Sequence, residues 1–288
     1  MDSKIMMNMF ATHQSSTLEY WFFKVNAGPI ALIVDWIERR KRKEHWLRVS
    51  VHSPHKREVI FEKLDTLMPL DNFLSTQRTV GHAGDVSWEL DIEPGHDWIK
   101  PDIFPVGLLQ MADLTLVSAP LATFTGWIRY GSQQTTLNQV PGLLSHYWGR
   151  QLASEWWWVS AHQFDREGIV VECTVLRTSL WGTSAQLPFA YLYLQQPDRQ
   201  DFLLAPFNPV RVAGSPEKFQ IEFNRIGKEK ITLIGTGREY GDFGDRIMNT
   251  LIGDLEIREG NRVIACANGT AGLERRVSAT PLSITINR

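Results

Sequence analysis

A glutamate followed by three aromatic residues occurs twice in this chain, in Leu18-Glu19-Tyr20-Trp21-Phe22-Phe23 and in Ser154-Glu155-Trp156-Trp157-Trp158-Val159, with the two glutamates 136 residues apart. That separation is close to half of the 288 residues, and each copy leads into a turn and another apolar run. A second pair lies near the ends of the two halves. Gly126-Trp127-Ile128-Arg129-Tyr130-Gly131, followed by Gly142-Leu143, matches Gly253-Asp254-Leu255-Glu256-Ile257-Arg258-Glu259-Gly260, followed by Gly272-Leu273, at offsets of 127 to 130 residues. Two matches in the same order at similar offsets point to internal duplication. The expectation is two similar units, residues 1–145 and 146–288, each long enough for its own core.

The units read as all-β. Val86, Trp88, Leu90 and Ile92 alternate with Ser87, Glu89 and Asp91. Leu47, Val49 and Val51 alternate with Arg48, Ser50 and His52, and Phe219, Ile221 and Phe223 with Gln220, Glu222 and Asn224. Period two is the signature of a strand with one buried face. Further strands are expected over 30–37, 121–130, 154–164, 169–177, 187–195, 229–237 and 261–268. Gly, Pro, Asn and Asp clusters punctuate them, and no long amphipathic helix intervenes, so a barrel or sandwich is indicated. The proline-rich stretches 93–110 and 196–216 read as long loops, of the kind that can cover a binding cavity. The basic run Arg39-Arg40-Lys41-Arg42-Lys43 reads as a solvated hairpin turn.

Several function classes are disfavoured. A net charge of −2 gives no footprint for nucleic acid or an anionic membrane. Cys173 and Cys266 each sit in an apolar segment and read as reduced core thiols. Residues 1–12 lack the charged, apolar and small-residue succession of a signal peptide, and no stretch approaches the ~20 apolar residues of a membrane span. A cytoplasmic protein is expected. No nucleophile elbow, phosphate-binding loop, zinc-protease helix or paired-cysteine motif is present, so no cofactor is indicated. His45, His52 and His55 cluster in sequence but lack a carboxylate or cysteine at ligand spacing, so no metal site is assigned.

What is abundant is aromatic surface, 11 Trp, 14 Phe and 6 Tyr. Most of it must be core. Strand alternation nevertheless divides the triple tryptophan. Trp156 and Trp158 share a face with Ser160, His162 and Phe164, a mixture suited to a ligand cavity. Glu155, Trp157, Val159, Ala161 and Gln163 take the other face. Duplication supplies a filter, because what both halves keep is architectural. Glu19 and Glu155 match, and read as fold-holding groups with a buried hydrogen bond or an arginine partner, for which Arg129, Arg258, Arg275 and Arg276 are candidates. His162 falls opposite Asn26 and Ser160 opposite Lys24. His162 is therefore the sharper functional candidate.

The run Pro141-Gly142-Leu143-Leu144-Ser145-His146-Tyr147-Trp148-Gly149-Arg150, followed by Glu155-Trp156-Trp157-Trp158-Val159-Ser160-Ala161-His162-Gln163-Phe164, resembles a stretch of the tocopherol cyclase-like proteins. Glu19-Tyr20-Trp21-Phe22-Phe23 is similar to a Glu-Trp-Trp-Tyr signature of the carotenoid hydratase group. Those groups and the fungal Diels–Alderases share two tandem lipocalin-like β-barrel domains. The resemblance implies cofactor-free chemistry on an apolar polyene or prenyl substrate: cyclisation, cycloaddition or hydration. It places Trp156, Trp158 and Phe164 on aromatic positions of the pattern, and His162 where an Asn is usual. The leading expectation is a cofactor-independent cyclase; a lipocalin-like carrier and a hydratase or dehydratase are the alternatives. His162, Tyr147 or His146 would polarise a substrate carbonyl, or Glu155 or Glu172 would protonate an alkene. Trp156, Trp158, Ser160, Phe164, Trp21 and Trp148 would line the site. The oligomeric state is left open.

Overall fold

In the computed structural model, which describes residues 11–54, 56–101, 114–179, 186–276 and 285–286, the period-two stretches are antiparallel strands. The first sheet comprises β1 (Leu18–Ala27), β2 (Ile30–Arg39), β3 (Glu44–Ser53), β4 (Lys56–Leu64), β5 (Phe73–Leu74), β6 (Arg78–Ala83), β7 (Val86–Glu93), β8 (Leu114–Tyr130) and β9 (Gln133–Gly149). The second comprises β10 (Glu155–Ala161), β11 (Val170–Ser179), β12 (Gln186–Gln195), β13 (Gln200–Leu204), β14 (Val210–Gly214), β15 (Lys218–Arg225), β16 (Lys228–Thr236), β17 (Gly241–Asp242), β18 (Ile247–Glu259), β19 (Arg262–Arg276) and β20 (Thr285–Ile286).

The spatial orders are β4-β3-β2-β1-β9-β8-β7-β6-β5 and β13-β12-β11-β10-β19-β18-β16-β15-β14-β20, with β17 beside β18. Without the short β17 and β20 the second order repeats the first strand for strand. The chain is thus two tandem lipocalin-like units, as the duplicated motifs required. Their division falls between Leu152 and Ala153, past the expected boundary after residue 145. The physical reason is that Ser145–Gly149 still pair with Leu18–Phe22, completing β9 against β1.

Each unit buries one face of its sheet in a core of its own. In the first, Trp21, Phe23 and Val25 of β1 pack with Trp36, Trp88 and Phe124. Trp36 and Trp88 meet edge to face at 6.1 Å, the geometry their quadrupoles favour. Their indole N–H groups donate to the Asn72 carbonyl at 2.9 Å and to Thr79 Oγ1 at 3.0 Å, so burial strands no donor there. In the second unit Trp157, Val159 and Ala161 of β10 pack with Val171, Cys173, Val175, Phe219 and Ile221. Trp157 and Phe219 lie 4.8 Å apart. These aromatics serve as core, as was expected of most of the aromatic surface.

The register of β8 against β9 shifts between Phe124 and Gly126. Gly126 there has φ +141°, and a side chain on it would meet the Glu89 carbonyl oxygen at 2.1 Å. Only glycine fits that bend. Side chains close each curled sheet where the ladder does not. Tyr130 Oη donates to Glu58 of edge strand β4 at 2.6 Å, and the Gly84 N–H to Glu62 at 2.9 Å. In the second unit Arg225 contacts Glu259 at 2.6 Å and Asp201 of β13 at 3.6 Å, while Arg199 reaches the same two acids.

Two expectations change. The stretch 196–216 is not one long loop: it contains β13 and β14, with Pro206 and Pro209 confined to their short connection. Of the other proline-rich stretch, 93–110, residues 102–110 lie outside the described residues. The basic run does turn β2 into β3, through a 3-10 turn at Arg40–Arg42 and a left-handed Lys43, but Arg40 is not merely solvated. It forms ion pairs with Glu19 and Glu38, each at 2.8 Å. His45 and His52 alternate to opposite faces of β3, so they make no common site, and His55 lies outside the described residues. Cys173 is a buried free thiol, and Cys266 is free and half-buried. No helix among the described residues is long and apolar enough to cross a membrane.

Candidate functional site

The side of β10 that turns away from the core carries the expected face. Trp158 is opposite Thr174 of β11, which is opposite Tyr191 of β12; Ser160 is opposite Glu172, which is opposite Tyr193. Residues aligned across an antiparallel ladder share a face, so these six side chains form two adjacent rows. All six are buried, as is His162 just beyond the strand end, and Glu172, Ser160, Tyr191 and Tyr193 have no exposed surface. Tyr191 Oη donates a hydrogen bond of 2.9 Å to Glu172 Oε1. Burial, above all, holds the Tyr191 phenol well above its ordinary pKa, so it remains a donor.

Trp156 lies on the same face, half-buried, with its indole N–H on Glu274 Oε1 at 2.8 Å and Arg276 over its ring at 5.5 Å. Phe164 does not continue the row. β10 ends at Ala161, the alternation ends with it, and Phe164 packs against the apolar core instead.

The equivalent face of the first unit is built from different chemistry. Lys24 and Asp35 are buried on it, with Arg48 donating to Asp35 Oδ2 at 3.0 Å. Burial draws the Lys24 ammonium down to about 7. It also raises the Asp35 carboxyl, against the opposing pull of Arg48. By register Lys24 takes the place of Ser160, Asp35 that of Thr174 and Arg48 that of Tyr191.

The remaining expected residues lie elsewhere. His146 and Trp148 project from β9 toward the interior side of the first unit, and Tyr147 projects oppositely, donating to the Gln151 carbonyl at 2.8 Å. Trp21 is a core residue stacked on His146 at 4.6 Å. His146 Nε2 is 3.2 Å from Glu19 Oε2, and His13 Nδ1 is 3.5 Å from the same oxygen. Glu19 Oε1 accepts from Ser16 Oγ at 2.5 Å, the His13 N–H at 2.7 Å and Arg40 Nη2 at 2.8 Å.

Glu155 occupies the matching place in the second unit, on the core side of β10. Its carboxylate is 3.5 Å from Arg275, whose guanidinium lies 4.3 Å from the centre of the Trp157 ring. Burial raises the Glu155 pKa; Arg275 and Arg177 oppose it. A buried hydrogen bond or an arginine partner was expected for both glutamates, and of the four candidate arginines Arg275 is the one beside Glu155. Arg40, the partner of Glu19, was missed because it sits in what reads as a solvated charge cluster. Thr174, Tyr191 and Tyr193 were also missed. Alternation in 187–195 puts the two tyrosines on one face, but only the β11–β12 register sets them beside Glu172.

No family model matches the chain, and no curated protein matches it in sequence. Solved structures do share its fold. A protein from Nitrosomonas europaea, provisionally described as AttH, superposes with a TM-score of 0.61 at 12% identity, covering 94% of this chain and 95% of that one. Kievitone hydratase from Nectria haematococca gives a TM-score of 0.60 at 10% identity, over 92% and 90% of the two chains. CghA gives 0.59 at 12% identity, over 93% and 90%. At this identity the likeness establishes the fold, the double lipocalin-like architecture that the short motifs resemble.

Proposed function

We propose that the chain is an enzyme that adds a proton to a carbon–carbon double bond of an apolar small molecule and so initiates ring closure. The observation that carries the reading is the Glu172–Tyr191 pair. A carboxyl, two phenols, two hydroxyls and an imidazole are buried on the sheet face opposite the hydrophobic core, where apolar packing does not call for them. Of the two acids expected from the sequence, Glu172 is preferred to Glu155 because the β11–β12 register sets it opposite Tyr193, beside the phenol of Tyr191.

In this mechanism Tyr191 holds Glu172 Oε1, and the transferable proton sits on Oε2. The alkene takes that proton and becomes a cation. The Trp158, Tyr191 and Tyr193 rings stabilise the cation through their electron-rich faces. A second double bond of the substrate attacks, forming the new ring bond, and a proton lost from the adjacent carbon returns to the glutamate. Atoms balance as an isomerisation, and the acid is regenerated. His162 and Ser160 orient a polar group of the substrate by hydrogen bonding.

Hydration is the second reading, because the same cation captured by water gives an alcohol, and kievitone hydratase shares the fold at TM-score 0.60. A panel of polyenyl and prenylated phenolic substrates, incubated in deuterium oxide or in oxygen-18 water, separates the outcomes. Ring closure by this route places deuterium on carbon; hydration adds labelled oxygen. A cyclised product without deuterium indicates a pericyclic reaction, and a ligand returned unchanged indicates a carrier; either overturns the proposal. Glu172→Gln is expected to lower turnover by roughly 100-fold or more, in the range typical of a lost general acid. Wild-type rates in that variant would remove Glu172 from the mechanism.

A further inference from the structure

We propose that His13, Glu19 and His146 form a binding site, in the first unit, for a first-row divalent transition-metal ion of the zinc class. Two imidazoles and one carboxylate are the ligand types that zinc and its neighbours take. Their ligand atoms, His13 Nδ1, His146 Nε2 and Glu19 Oε2, all lie within 4.8 Å of one another. The two nitrogen–oxygen separations, 3.5 and 3.2 Å, are close to the edge of a tetrahedron with about 2.0–2.1 Å metal bonds, roughly 3.4 Å.

The surroundings have the form of a second coordination shell. Glu19 Oε1 is occupied by three donors, Ser16 Oγ, the His13 N–H and Arg40 Nη2, which turns Oε2 toward both imidazoles. Such outer contacts fix the direction of a ligating carboxylate. The rings are fixed as well. His13 stacks on Trp148 at 4.0 Å with 5° between planes, and His146 stacks on Trp21 at 4.6 Å with 12°. The charge of Arg40 is offset by Glu38, 2.8 Å away.

Duplication gives the independent argument. Trp21 is opposite His146 in the first unit, and Trp157 is opposite Arg275 in the second. The place that faces the conserved-in-both-halves glutamate is thus a permanent cation in one copy and an imidazole in the other, with His13 added from the segment before β1. A guanidinium has no lone pair to offer, whereas two imidazoles do. A divalent ion held by the two histidines would give Glu19 Oε2 a positive neighbour on the side where Glu155 has Arg275, in addition to Arg40 on Oε1. Three protein ligands leave a fourth position for water or another donor.

The test uses the full chain, freed of metal with a chelator and titrated with zinc by calorimetry, with cobalt(II) as a spectroscopic probe. One ion per chain is expected, with a rise in thermal midpoint and a visible cobalt spectrum of a low-coordinate nitrogen–oxygen site. His13→Ala, which alters a residue outside the sheet, is expected to weaken zinc binding at least tenfold, as is His146→Ala; His82→Ala and His162→Ala are expected to bind as the parent does. No uptake by the parent at micromolar zinc overturns the proposal, and so does unchanged affinity in His13→Ala. The measurement needs no substrate, so it is decided separately from the acid–base reading.

Discussion

At the scale of single residues, the instructive feature is how much polar chemistry is buried away from the cores. Lys24 is the sharpest case. Its ammonium ordinarily titrates at 10.5 and is drawn down to about 7 by burial. Between those values the unfolded chain holds a proton that the folded chain does not, so stability rises with pH across that window. The slope from one such group is up to about 1.4 kcal/mol per pH unit. Denaturant unfolding of Lys24→Met from pH 7 to 10 is expected to show a flatter profile and a higher midpoint at neutral pH than the parent. Equal slopes would mean the lysine keeps its charge. The sequence flagged position 24 only as the counterpart of Ser160. It could not show that a lysine on a period-two strand faces a buried surface, because alternation distinguishes two faces but does not say that both are covered.

Strands and their edges form the next scale. Nearly every strand with clear alternation was legible, including β2, β3, β7, β10, β11, β12, β15 and β16. The short edge strands β5, β13 and β14 were not. They span two to five residues, too few for a period-two run to stand out, and Pro206 and Pro209 fall between β13 and β14. The ion network on β13 and β15 is part of what closes the second sheet at that edge. Glu259 is central to it, and hydrogen bonding from Arg225 draws its carboxyl from 4.5 to about 2. A carboxyl lowered in the folded state contributes stability that is complete above its unfolded pKa and is lost as pH falls through the folded value. Acid unfolding between pH 5 and 2 is therefore expected to be less steep in Glu259→Gln, which should also be the less stable protein at pH 7. A variant that tracks the parent throughout would assign the closure to the backbone ladder alone.

Over the whole molecule, the duplicated frame was the most legible property, since a glutamate-aromatic strand at half-chain spacing became β1 and β10 in matching sheet orders. Both glutamates anchor the core side, one through arginine and the other through two histidines and Arg40. The candidate site lies instead where the two copies differ, on the opposite face of β10–β12. Its aromatic and histidine members were visible from alternation, whereas its acid and phenols depended on register. Removing Arg275 should leave Glu155 buried with a weaker counter-charge, at a cost of about 3–5 kcal/mol. Arg275→Ala is accordingly expected to unfold at much lower denaturant than the parent, and adding Glu155→Gln should recover part of the loss. No recovery in the double variant would assign the effect to the stacking of Arg275 on Trp157.

The pairing of Leu18 with Gly149 and of Trp156 with Arg276 puts the entering and leaving strands of each unit side by side. A gene segment encoding one unit therefore begins and ends at neighbouring points in space. Copying it in tandem reroutes no strand, which makes doubling an accessible step in the history of such a chain. The same adjacency offers engineers a seam: a short linker from the end of β9 to the start of β1, with new ends opened at the Arg40–Lys43 turn, would preserve every strand neighbour of the first sheet.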